Sequence, residues 1–152
     1  MSTDPATTFG LGAIDQVSFA VRDAEDAARR WEPIFGPFEI MTVDLPAIEY
    51  RGRASSARLT LGFGRSGDIE IELVEVLEGD SPVADHLAEH GEGIHHVRFP
   101  VHDLAGKRAA MEAAHWTTIF AGEGGPVSYA YLEPPAEVGG TVIELIETRV
   151  NA

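Results

Sequence analysis

Four polar residues hold matching places in two pairs of similar stretches. Residues 13–23 read AIDQVSFAVRD and residues 93–103 read GIHHVRFPVHD, with Ile14/Ile94, Val17/Val97, Phe19/Phe99, Val21/Val101 and Asp23/Asp103 identical. Further along each half, Ile71-Glu72-Leu73-Val74-Glu75 matches Ile143-Glu144-Leu145-Ile146-Glu147. Side chains alternate faces along a strand. The apolar series Val17, Phe19, Val21 therefore sends Gln16 and Ser18 to the opposite face, and the second stretch sends His96 and Arg98 there. Glu72 and Glu144 likewise face away from Ile71/Leu73 and Ile143/Leu145. If the halves meet about a pseudo-two-fold axis, Gln16, Glu72, His96 and Glu144 come to one place. Three oxygen donors and one imidazole suit a divalent ion such as Mg²⁺, Mn²⁺, Co²⁺, Ni²⁺ or Zn²⁺. Two carboxylates offset its charge, and a six-coordinate ion would keep two positions open for adjacent substrate oxygens. Arg98, on the His96 side, either anchors a substrate anion or pairs with Glu144. Taken singly, strand glutamates are more often solvated and a lone strand histidine structural. Their coincidence with the repeat is what favours a cation.

The elements needed to position these residues are legible in each half. Alternation at Val17, Phe19 and Val21 marks a strand, Asp23 caps a helix, and the helix AEDAARRW stops before Pro33 and Gly36. Strands follow around residues 39–45, 58–63 and 69–76. In the second half Asp103 caps a helix, with strands near 117–121, 127–132 and 141–147. Ser81-Pro82 opens a short connecting helix that Gly91 closes. The fold class expected is α+β, two tandem βαβββ modules forming a curved mixed-sheet cleft. Module one spans 13–76, a helical connector 77–92 and module two 93–147, within a single domain flanked by tails 1–12 and 148–152. His86 and His90 have a zinc-compatible i,i+4 spacing but no third ligand nearby in sequence, which favours a solvated helix face. Arg51 and Arg53 read as loop charges or as anion anchors at the cleft mouth. Gly122, Gly124 and Gly125 read as a plain turn.

The 152 residues carry 11 Lys and Arg against 25 Asp and Glu, a net charge of −14 that disfavours nucleic acid and anionic membranes as partners. With no cysteine there is neither a disulfide nor a thiolate site. The opening MSTDPATTFG lacks the basic-then-apolar pattern of a signal peptide, so a cytoplasmic protein is expected.

These residues resemble the vicinal oxygen chelate superfamily, which includes glyoxalases, methylmalonyl-CoA epimerases, bleomycin-resistance proteins and extradiol dioxygenases. The stretch EGDSPVADHLAEHGEGIHHVRFPVHDL, residues 78–104, together with IELVE and GGTVIELIE, is similar to methylmalonyl-CoA epimerases in particular. The resemblance implies a glyoxalase-like fold with one divalent metal held by Gln16, Glu72, His96 and Glu144, while His95 points the other way. It implies proton abstraction beside a carbonyl, with the metal stabilising the enolate, and Glu144 as the catalytic base. Glu49 is available as a second base. The substrate would be a small carbonyl compound, with acyl-CoA esters among the candidates, and the assembly a homodimer. Gln16 stands where epimerases usually carry histidine, and glutathione-dependent glyoxalases use a similar glutamine, two-glutamate, histidine set. Residues 131–135, YLEPP, stand where epimerases tend to carry histidine-proline-lysine. The alternatives are a glyoxalase-type lyase and a metal-free small-molecule (drug) binding protein.

Overall fold

A computed structural model describes residues 8–149, so residues 1–7 and 150–152 of the expected tails, and most of the segment read for a signal peptide, lie outside it. The elements follow in the order β1 (Gln16–Ala20), α1 (Ala24–Phe35), β2 (Glu39–Tyr50), β3 (Arg53–Ser66), β4 (Ile69–Gly79), α2 (Pro82–His90), β5 (Gly93–Pro100), α3 (Leu104–Ala113), β6 (Thr117–Gly124), β7 (Val127–Glu133) and β8 (Val142–Thr148). The eight strands form one mixed sheet in the order β1-β4-β3-β2-β6-β7-β8-β5, and it closes on itself. The expected cleft is thus a barrel. β1 runs parallel to β4 and β5 parallel to β8, while β1 and β5 pair antiparallel at the centre. The opposite seam is narrow: β2 meets β6 through only three residue pairs, Ile48/Gly122, Glu49/Ala121 and Tyr50/Phe120. Arg108 of α3 ties this seam, donating to Thr118 on β6 at 3.0 Å and to Glu49 on β2 at 3.3 Å.

The two-residue period divides the strands between an inner and an outer core. Ala20, Ile48, Tyr50, Leu59, Val74, Phe120 and Tyr131 form the inner cluster. Val21, Ala24, Ala28 and Leu73 pack beneath α1, and Val101, Met111, Ala130, Leu132 and Leu145 beneath α3. Phe9 and Leu11, in the expected tail, pack against the α3 cluster. Asp23 and Asp103 cap α1 and α3 as expected, accepting from Asp26 N–H and Gly106 N–H, each at 3.0 Å. The last glutamate of each matching pentapeptide also reaches a helix start. Glu75 accepts from Ala24 N–H at 2.8 Å and Glu147 from Leu104 N–H at 2.9 Å, a favourable place for negative charge. These two glutamates serve the helices, on the face opposite Glu72 and Glu144.

Of the boundaries that differ from expectation, three do so for identifiable reasons. α1 continues through Pro33 to Phe35, because Trp31 and Phe35 stack at 5.6 Å and Gly36, at φ 74°, then ends the helix. β2 runs on to Tyr50 because a register shift between Leu45 and Ile48 absorbs Pro46, which has no N–H for the ladder. β2 then turns directly into β3 at Arg51-Gly52, both with positive φ, as a two-residue hairpin turn requires. The segment expected as a loop is therefore a hairpin.

Candidate functional site

The inner face of the barrel gathers an unusual concentration of buried polar groups. Gln16 and Ser18 point inward from β1, with His96 from β5, and all three are wholly buried. Glu72 is 8% exposed and Glu144 6%. Register explains the convergence: Ser18 lies beside Glu72 on one flank and His96 on the other, while Glu144 lies beside Arg98, two residues along β5. His96 Nε2 stands 3.0 Å from Glu144 Oε1 and 3.9 Å from Glu72 Oε1. Ser18 Oγ donates to Glu72 Oε1 at 2.8 Å. Burial pushes the Glu72 carboxyl up to about 7, helped by the Glu144 charge and opposed by His96, the Ser18 hydrogen bond and Arg98.

Gln16 sits one inward position before Ser18 on β1. Its Nε2 donates to Glu70 at 2.7 Å. A carboxylate only accepts, so Glu70 fixes the amide orientation and leaves Oε1 turned away, buried and without a partner. Among the described residues only one other buried side-chain polar atom lacks a partner, the hydroxyl of Tyr129. Among the described residues, too, no three His, Asp or Glu side chains are already set around a point that would hold a cation. His96 instead lies against both Glu144 and Glu72.

His95 departs from the expectation that it points away. β5 is bulged beside β1: Ser18 pairs with His96 and Phe19 with Ile94, so His95 is the extra residue. Its ring turns to His96, with the two Nδ1 atoms 2.8 Å apart. Burial, together with His96 and His86, pushes the His95 imidazole down to about 3, which keeps it neutral. The His86 ring lies 5.0 Å from His90 and 5.4 Å edge-on from His95, so His86 has a histidine neighbour that its sequence spacing did not reveal. These histidines line a cavity of about 790 Å³ with Arg51, Asp85 and Glu133. Gln16, Glu72 and Glu144 do not line it; His95 stands between it and His96.

Arg98 is held by Asp15 at 2.8 and 3.2 Å, with Glu70 3.6 Å away, so its ion pairs run to these residues and not to Glu144. Glu49 faces out of the barrel. Ile48 and Tyr50 take the inner positions, and Glu49 meets Arg108 beneath α3, which removes it as a base at the inner site. Arg51 pairs with Asp85 at 3.3 Å and with Glu133 at 3.5 Å at the cavity rim, and Arg53 with Asp80 at 3.7 Å. The sequence reading passed over Ser18, Glu70, Tyr129 and Tyr131 as functional candidates. The Tyr131 ring packs 4.6 Å from that of His96. Period-two alternation of Tyr129 and Tyr131 on β7 was the available signal for this pair.

A closed mixed barrel with carboxylates and an imidazole facing inward from β4, β5 and β8 defines a familiar class. The chain belongs to the Glyoxalase/Bleomycin resistance protein/Dioxygenase superfamily, whose family model matches residues 15–131. The human mitochondrial methylmalonyl-CoA epimerase is 26% identical, over 91% of this chain and 76% of that protein. A 4-hydroxyphenylpyruvate dioxygenase of Caenorhabditis elegans is 30% identical over 91% of this chain, which spans only 37% of the dioxygenase. The fold is also that of a Streptomyces coelicolor methylmalonyl-CoA epimerase variant, in complex with 2-nitronate-propionyl-CoA. The TM-score is 0.66 with 23% identity, over 93% of this chain and 100% of the other.

Proposed function

We propose that this protein is a divalent-metal-dependent isomerase or epimerase that moves a proton α to a carbonyl, in the manner of methylmalonyl-CoA epimerases. The observation that carries the reading is the buried contact of His96 with Glu144 and Glu72, on the same inner face as an amide oxygen with nothing to bond. Buried polar groups in folded proteins are nearly always satisfied, so the unpartnered Gln16 Oε1 suits a cation as its partner. The donor set fits as well: two carboxylates, one imidazole nitrogen and one amide oxygen suit Co²⁺, Ni²⁺, Mn²⁺, Zn²⁺ or Mg²⁺. When bound, the ion supplies Lewis-acid stabilisation of negative charge on a substrate oxygen, worth several kcal/mol.

The remaining roles belong to the chain. Glu70 holds the Gln16 amide so that Oε1 faces the ion. With an ion bound, His96 would turn its Nε2 lone pair to it and give its Nδ1–H to His95 Nδ1, 2.8 Å away; such outer partners fix ligand tautomers. Glu144, at the edge of the set, takes the α-proton on a carboxylate oxygen and returns it. Arg98, held in place by Asp15 and Glu70, orients a substrate anion from β5. Tyr131 and the surrounding core exclude water. The human and Streptomyces relatives favour an acyl-CoA substrate; tandem modules, a homodimer and a cytoplasmic location complete the proposal.

Incubation of the Co²⁺-loaded protein with methylmalonyl-CoA in deuterated water is the test. Deuterium is expected at the α-carbon by mass spectrometry. Absence of exchange with the metal bound overturns the epimerase reading. Turnover of the methylglyoxal–glutathione hemithioacetal would then favour a glyoxalase-type lyase, the alternative that Gln16 supports. A protein that takes up no cation would instead be a binder of small molecules.

A further inference from the structure

The second orphaned atom lies on the same inner face. The Tyr129 hydroxyl is buried without a hydrogen-bond partner, on β7 two residues before Tyr131, whose ring packs on His96. Its inward direction follows from its neighbours. A Cβ added to Gly122 would stand 2.6 Å from the hydroxyl and 3.2 Å from Ile48 Cγ2, and Ile48 belongs to the inner core. The phenol ring also lies 5.9 Å from Phe120 and 6.1 Å from Tyr131. Glycine at position 122 thus leaves the space into which the hydroxyl projects. Burial, with Glu144 adding to it, pushes this phenol up to about 12, so it stays a neutral donor throughout the working pH range.

An unsatisfied buried hydroxyl destabilises the folded state and needs a reason. The two unsatisfied atoms are chemically complementary. Gln16 Oε1 can only accept, and so faces a positive centre; Tyr129 Oη can donate, and so faces an oxygen. A ligand that brings an anionic oxygen beside the Glu144 carboxylate would satisfy the second as a cation satisfies the first. We propose that Tyr129 is a substrate-binding residue whose hydroxyl donates a hydrogen bond to an oxygen of the substrate carbonyl or carboxylate group. The proposal deepens the isomerase reading and rests on it for the location of the substrate. It also supplies a neutral donor at a site from which Glu49 is absent.

Tyr129→Phe removes the hydroxyl and keeps the ring. The ligand-free variant is expected to melt about 2–4 °C above the wild type, because an unpaired polar group has gone. With Co²⁺ present, its affinity for oxalate, a small planar dianion, is expected to fall at least tenfold in calorimetric titration, while Co²⁺ affinity stays within twofold. Gly122→Ala crowds the hydroxyl without removing it and is expected to weaken oxalate in the same direction. Equal oxalate affinity of wild type and Tyr129→Phe overturns the proposal. So does failure of the wild type to bind oxalate, or a lower melting temperature of the ligand-free variant. Loss of oxalate affinity in Tyr129→Phe, alongside a wild type that exchanges no α-deuterium, supports the Tyr129 assignment and rejects only the epimerase reaction.

Discussion

Glu144→Gln is expected to reduce metal-dependent α-deuterium exchange by about 10²–10⁴-fold, the usual contribution of a positioned acid–base group. The substitution keeps shape and leaves an oxygen able to face His96 Nε2, now 3.0 Å from Glu144 Oε1, so the barrel should survive. What it removes is the basic electron pair and one negative charge near the proposed ion. Co²⁺ affinity should therefore fall as well, by at least 10–100-fold, the range seen for perturbing the surroundings of a metal. Exchange rate and Co²⁺ titration check the two halves separately. If exchange in the variant stays within a few-fold of wild type, Glu144 is not the base, whatever happens to the metal.

Glu72→Gln should reverse the ordinary direction of a site mutation by stabilising the cation-free protein at neutral pH. Burial raises the folded-state pKa of Glu72 to about 7, from an ordinary carboxyl value of 4.5. Between those values the folded state binds more protons than the unfolded chain. Its contribution to stability is thus fully present below pH ~4.5 and is lost as pH rises through about 7. The loss amounts to on the order of 3 kcal/mol when complete. Glutamine carries no such dependence, so the melting-temperature advantage of the variant should grow from pH 5 to pH 7.5. His95 runs the other way, since its depressed pKa costs stability as pH falls below about 6.5. His95 is common to both proteins, and its effect cancels in the difference. A divalent ion should restore the wild type at pH 7.5 and do little for Glu72→Gln. A constant difference across the range would mean that Glu72 is not held protonated by its site.

The alternation of apolar residues made the inward set readable before any coordinates. Gln16, Glu72 and Glu144 lie where the period of two is unbroken, and they face inward together with His96, which borders the bulge in β5. The same rule failed at His95, because a bulge inserts one residue and turns the ring to the inner side. It failed for the length of β2, because Pro46 looks like a terminus until a register shift accommodates it. With residues 48–50 in strand, alternation alone sends Glu49 outward, away from the role of a second base. The closure of the barrel was not legible, since three residue pairs between β2 and β6 leave no local pattern. Arg98 was placed on the right side, but its partner Asp15 lies just before β1, where periodicity is silent. Glu75 and Glu147 repeat as faithfully as Glu72 and Glu144. Only the sheet faces separate the helix-supporting pair from the inward pair.

On the proposed reading, the orphaned oxygen of Gln16 and the buried contacts of His96 with Glu72 and Glu144 belong to a cradle for one divalent ion. Equilibrium dialysis of the metal-stripped protein against Co²⁺, with metal counted by mass spectrometry, tests it most directly. One ion per chain is expected, bound at least tenfold more weakly in Glu144→Gln, with a rise in melting temperature that corresponds to about 2.7 kcal/mol at a hundredfold excess over Kd. A chain that binds no Co²⁺, Ni²⁺, Mn²⁺, Zn²⁺ or Mg²⁺ at millimolar concentration, or binds them equally well without Glu144, contradicts it.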